Sequence, residues 1–208
     1  YHAAPTAVTA LFGGVLTKVG IYAIFRVFTL IFRFEDSFMP NLLLWLAAIT
    51  MVVGVLGAIS QMDFKRLLAY HIISQIGYML MGLAFFTPLG IAAGLFHTIH
   101  NMIVKTALFL VGGATEETTG TTHLKEMSGL LKLSPGLAYL FFLAGISLAG
   151  VPPFSGFFSK YMLILAGLDK GESVVVAVSL VVSMMTLFSM MKIFRYVYWG
   201  DPGKTRIL

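Results

Sequence analysis

Pro135 to Leu168 reads PGLAYLFFLAGISLAGVPPFSGFFSKYMLILAGL. The stretch is apolar along its length, yet too long for one regular membrane span, which takes about 20 residues. Gly150-Val151-Pro152-Pro153 stands in its middle, where ring clash and missing N–H groups break a helix. Lipid tolerates such a break only where protein or a water-lined cavity satisfies the freed backbone groups. The stretch therefore predicts two half-helices in one membrane pass, broken at 150–153.

Working outward, five more apolar stretches, 4–32, 41–60, 67–86, 89–114 and 174–197, nearly fill the chain. The one sizeable polar connection, 115–134, is rich in Thr and charge and belongs at a surface, with part of it expected to be helical. The expected fold is all-α: a single transmembrane domain over 1–208, a polytopic helix bundle of about six transmembrane helices with one or two of them broken. Composition agrees. Of 208 residues, 58% are hydrophobic and 11% charged, where soluble domains carry about 25% charge, and the mean hydropathy is +0.91. The net charge of +5 comes from basic residues too sparse to grip nucleic acid, so it reads as topology. The chain has no cysteine, which excludes disulfides and thiolate chemistry.

Six passes put the start, the loops after the second and fourth spans, and the tail on one side. That side carries Lys65, Arg66, Lys125, Lys132, Lys204 and Arg206, against Arg33 and Lys170 opposite. Short basic loops stay in the cytoplasm, so both ends of the chain are expected there. Lys192 and Arg195 are expected to snorkel at the last helix end, with Tyr196, Tyr198 and Trp199 as an aromatic belt. The opening Tyr1-His2-Ala3-Ala4-Pro5 lacks a methionine and a basic leader, and the chain reads as a fragment of a longer subunit.

The informative residues are the ionisable ones inside apolar spans. Lys18, Lys105 and Lys160 each face an insertion cost of about 2.5–3.5 kcal/mol, and no carboxylate shares their spans. His97, Asn101 and Lys105 recur at i, i+4 and i+8 with His100 beside them, a stripe about 12 Å long at 1.5 Å per residue. Imidazole donates from one nitrogen and accepts at the other, and an ammonium out of water releases its proton more readily. Such groups with water between them pass protons along. In the third span Asp63 stands at the helix start, followed by Lys65 and Arg66 as interface anchors. Tyr70, His71, Ser74, Gln75 and Tyr78 then fall on one polar face, which serves equally as path lining or as interhelical glue. Gly13-Gly14, Gly54, Gly57 and the methionines read as close packing. Two histidines three apart lack further ligands nearby for a metal shell. Gly112-Gly113 and Gly150 lack the signature of a phosphate loop, and Ser147, Ser155 and Ser159 have no adjacent base. Neither a metal site, a cofactor site nor an enzyme active site is expected.

Four blocks carry a resemblance that spans nearly the whole chain. They are His2-Ala3-Ala4-Pro5-Thr6-Ala7-Val8-Thr9-Ala10-Leu11 with Leu16-Thr17-Lys18-Val19-Gly20-Ile21-Tyr22; Gln61-Met62-Asp63-Phe64-Lys65-Arg66-Leu67-Leu68-Ala69-Tyr70 with Ser74-Gln75-Ile76-Gly77-Tyr78; His97 with Lys105; and Gly150-Val151-Pro152-Pro153-Phe154-Ser155-Gly156-Phe157-Phe158-Ser159-Lys160. In this order they resemble the proton-pumping antiporter-like membrane subunits of complex I, membrane-bound hydrogenases and Mrp-type Na+/H+ antiporters. Lysine at 18 and at 160 makes the chain most similar to the D-type subunits of the Mrp branch. The resemblance implies a multi-pass subunit in a bacterial cell membrane, working with other membrane subunits and exchanging Na+ for H+ in the lipid bilayer. It implies Lys18 as the central-axis lysine, His97 and Lys105 as a link along a broken fourth span, and Lys160 as the terminal lysine. It also implies about fourteen helices in the whole subunit, of which these six correspond to roughly the eighth through thirteenth. The family's glutamate–lysine pair lies in the half that this chain lacks. With no embedded carboxylate here as a hard ligand, the sodium path is expected elsewhere. Two other readings stand beside this one: the same machine driven by an oxidoreductase, and a membrane scaffold that moves no ions.

Overall fold

The computed structural model describes residues 4–31 and 38–201. Among these are eight helices and no strand: α1 Thr6–Leu30, α2 Phe38–Ser60, α3 Phe64–Ala84, α4 Pro88–Thr119, α5 Leu130–Leu133, α6 Pro135–Ala149, α7 Ser155–Asp169 and α8 Ser173–Tyr198. Five of them, α1 to α4 and α8, are long and apolar enough to cross a membrane. The helices α6 and α7 are the two halves expected on either side of 150–153. Gly150 ends α6 in the left-handed region at φ 91°, a conformation that L side chains avoid.

Local chemistry sets the ends. Asp63 caps α3 by accepting from the Arg66 amide at 2.9 Å, and Thr87 caps α4 by accepting from the Gly90 amide at 3.0 Å, with Pro88 in the first turn, as capping chemistry prefers. The helix α4 continues beyond the apolar stretch into the polar connection as far as Thr119, because Thr115, Thr118 and Thr119 return their hydroxyls to carbonyls one turn back and Thr115 also meets Tyr198 at 3.1 Å. One expectation for the fourth span needs correction: it is one continuous helix, with proline only at its start, so the break implied for the fourth span is not found. The only break observed in a membrane pass among the described residues is that between α6 and α7.

The helix α4 is the centre of the bundle and packs against α1, α3, α6 and α7. The α2–α3 pair is the most extensive contact, and its small residues explain the close approach expected of them. A Cβ on Gly54 would run into the Ser74 backbone, and one on Gly57 into the Tyr70 ring. Gly13 and Gly14 likewise admit Phe109 and Thr106 of α4 against α1.

The start of α1, the start of α3, the end of α4 and the end of α8 meet at one end of the bundle. Thr6 lies against Gly113, the Phe64 amide donates to Thr122 O at 2.9 Å and the Gly129 amide to Trp199 O at 3.3 Å. Lys132 pairs with Asp201 at 2.6 Å, and this ammonium holds the Asp201 carboxyl below the usual carboxylate range. Several basic residues serve differently from expectation. Lys65 is buried and pairs with Glu116 at 2.6 Å, so it is no free interface anchor. Lys192 donates to Ile59 O and Gln61 O at 2.7 and 2.6 Å, and Lys170 to Phe85 O at 2.9 Å. Each closes the negative end of a helix, α2 and α3 respectively. Trp199 is exposed, but Tyr198 is wholly buried and belongs to the core rather than to a belt, because its hydroxyl finds Thr115. Phe32, Arg33, Pro202, Lys204, Arg206 and Tyr1 to Ala3 lie outside the described residues.

Candidate ion path

The helix α4 carries His97, His100, Asn101 and Lys105 through the bundle centre, and all four are buried. The i, i+4 spacing holds Asn101 one turn from His97, where its Nδ2 lies 2.9 Å from His97 Nε2 and donates to His97 O at 3.0 Å. Two other helices complete the imidazole. Ser159 of α7 lies 2.9 Å from Nδ1, and Gln75 Oε1 of α3 lies 3.2 Å from Nε2. Ser159 can donate its hydroxyl to Gly156 O at 3.0 Å and accept from Nδ1–H, with Asn101 donating to Nε2. Alternatively it donates to Nδ1, with Nε2–H donating to Gln75. Both neutral tautomers of His97 therefore have partners, which is what a proton relay requires.

The break in the fifth pass explains how Lys160 is accommodated. Its Nζ donates to Leu148 O at 3.1 Å and Ala149 O at 2.9 Å, carbonyls at the end of α6 that have no helical partner. It also donates to Ser183 of α8 at 2.7 Å. The ammonium thus meets the negative end of one half-helix and lies 4.7 Å from the Tyr78 ring centre, in cation–π range. Tyr78 in turn is 5.4 Å from the His97 ring, so the tyrosine stands between lysine and histidine. A cavity of about 390 Å³ adjoins Lys160, lined also by Gly150, Tyr161 and Ser183.

The other path candidates extend this centre. His100 lies 5.9 Å from His97 ring to ring and 2.8 Å from Ser155 Oγ through Nδ1. Lys105 is wholly buried and donates to Leu68 O of α3 at 3.2 Å. Lys18 donates to Gly13 O, where a π-helical turn, Phe12–Leu16, opens α1. Among the described residues none of Lys18, Lys105 and Lys160 pairs with a carboxylate.

The expected polar face of α3 divides. His71, Gln75 and Tyr78 are buried, with His71 Nε2 2.9 Å from Ser189 Oγ. Tyr70 is exposed and packs on Gly57, and Ser74 donates to Met51 O at 3.1 Å; both face α2. Sequence reasoning missed the hydroxyl partners Ser155, Ser159, Ser183 and Ser189. The signal was present in α8, where Ser179, Ser183, Thr186 and Ser189 recur at three or four residues. Buried atoms without a protein partner among the described residues include Gln75 Nε2, His100 Nε2 and Asn101 Oδ1. They surround His97, and buried polar groups of this kind are where internal water binds.

Comparison with known proteins relates the chain to a family of membrane subunits. A family profile described as NADH:quinone oxidoreductase/Mrp antiporter, TM matches residues 1–186. The D-type Na(+)/H(+) antiporter subunit of Alkalihalophilus pseudofirmus is 58% identical over 205 residues, 99% of this chain and 42% of that protein. A chain in the structure of the Mrp complex from Dietzia sp. superposes with a TM-score of 0.91 at 47% identity, covering 95% of this chain and 37% of that one. A chain of respiratory complex I from Thermus thermophilus superposes with a TM-score of 0.87 at 30% identity, covering 96% of this chain and 42% of that one. The chain spans less than half the length of these relatives.

Proposed function

The chain belongs to the NADH:quinone oxidoreductase/Mrp antiporter transmembrane family, and from that premise we propose that it is part of the proton-translocating subunit of a multisubunit Na+/H+ antiporter. The observation that carries this reading is the buried run from Lys105 through Asn101, His97 and Tyr78 to Lys160, in which each lysine is held by carbonyls, hydroxyl or ring. A scaffold has no use for cations that cost this much to bury. In a transporter the same groups can gain and lose a proton without leaving a carboxylate behind. Lys18 receives protons, Lys105, His97 and His100 pass them on, and Lys160 delivers them. The reaction is ion movement without covalent catalysis. The basic end of the bundle, with Lys65, Lys125 and Lys132, faces the cytoplasm of a bacterium. The remaining half-channel belongs to the part of the same subunit that this chain does not span, and the sodium path lies there or in a neighbouring membrane subunit.

The test is Na+-dependent proton exchange in everted vesicles carrying the full complex, with Lys105→Ala in this subunit and assembly checked by native gel. Lost exchange in an assembled complex is expected, and unchanged exchange would support the scaffold. The likeness to the complex I chain favours a second reading, a pump driven by electron transfer. Proton movement that needs electron flow and ignores Na+ would select it.

A further inference from the structure

We infer that His71 and the hydroxyl stripe of α8 form a second proton branch between Lys105 and Lys160, parallel to the one through His97. This rests on the reading above and deepens it. His71 is wholly buried on α3, and its Nε2 lies 2.9 Å from Ser189 Oγ on α8. Lys105 donates to Leu68 O at 3.2 Å, one turn before His71, so ammonium and imidazole share one stretch of α3. From Ser189 the stripe continues to Thr186, also buried, and then to Ser183. Residues three apart on a helix have Cβ atoms about 5–6 Å apart, a gap that one water bridges. Ser183 Oγ accepts from Lys160 Nζ at 2.7 Å. The branch therefore ends on the lysine that the His97–Ser159 pair also approaches.

A bond that merely clamped α3 to α8 would need only one ring nitrogen. His71 Nδ1 is buried with no protein partner among the described residues, and leaving such a group unsatisfied destabilises the fold. An apolar ring at this place avoids that cost. The second nitrogen is what a relay needs. A proton taken up at Nδ1 is matched by release of the Nε2 proton to Ser189 Oγ, whose own proton moves toward Thr186. The ring is left as its other tautomer and resets by turning over. Only N–H and O–H bonds are made and broken.

The test uses the full subunit in the assembled complex, with proton exchange measured in everted vesicles. His71→Gln keeps a hydrogen bond to Ser189 but cannot relay, and it should lower the exchange rate to about half, the share of one of two comparable routes. Ser189→Ala should do the same. The double variant should be no slower than either single one, because both residues lie on one branch. Combining His71→Gln with His97→Gln should abolish exchange. Full exchange by His71→Gln or by Ser189→Ala in an assembled complex would overturn the branch, and so would equal additive losses in the double variant. If Lys105→Ala also left exchange intact, the underlying transport reading would be what failed.

Discussion

His97 has two hydrogen-bonding arrangements open to it, because Ser159 and Asn101 can each turn their donors elsewhere. His97→Gln keeps an amide in that place but removes the titratable ring. With the branch through His71 still open, exchange in everted vesicles should fall to about half, the share of one of two comparable routes. Lys160 is held differently, by carbonyls that α6 leaves unpaired at Gly150. Replacing that glycine touches both functions of the turn, since φ is 91° and a Cβ would lie 2.9 Å from Lys160 Cδ. Gly150→Ala should destabilise the subunit by about 1–2 kcal/mol and slow exchange, read by thermal melting and by vesicle transport on one preparation. The lysines and histidines of the proposed path were all legible in the sequence, because an ionisable group in an apolar span needs a reason. Their serine partners were not, since a hydroxyl in a membrane helix can satisfy itself on its own backbone.

The helices follow from apolar length and from punctuation, and the departures have local causes. Three threonines at the end of α4 carry the helix into a stretch too polar to count as span. The α2–α3 pair shows what glycine spacing does at this scale, since Gly54 meets backbone rather than a movable side chain. Gly54→Ala must push the helices apart, at about 1–3 kcal/mol for overpacking. A lower melting temperature and reduced assembly on native gels should follow, whereas Gly136→Ala, with open space around its Cβ position, should leave both close to wild type. Tyr70 and Ser74 belong to this same contact. Sequence spacing alone placed them with His71, because α3 presents polar groups to two neighbours.

At the scale of the molecule, the bundle end that joins α1, α3, α4 and α8 is tied by Lys65 and Glu116. Glu116→Gln leaves a buried ammonium without its partner. The expected loss is about 1–2 kcal/mol, below the figure for a fully buried pair because Glu116 is 33% exposed. Melting of the full subunit should show it, and Lys65→Met with Glu116→Gln should recover part of it. Sequence alone determined the all-helical membrane fold, the broken fifth pass and the buried lysines, because hydropathy, proline and the cost of charge in lipid act along the chain. Tertiary structure alone decided which carbonyl, hydroxyl or ring receives each charge, that Lys65 pairs with Glu116, and that Tyr198 is core. Those choices depend on which faces of separate helices meet, and helices in lipid are matched by packing and hydrogen bonding across space rather than by any pattern within one of them.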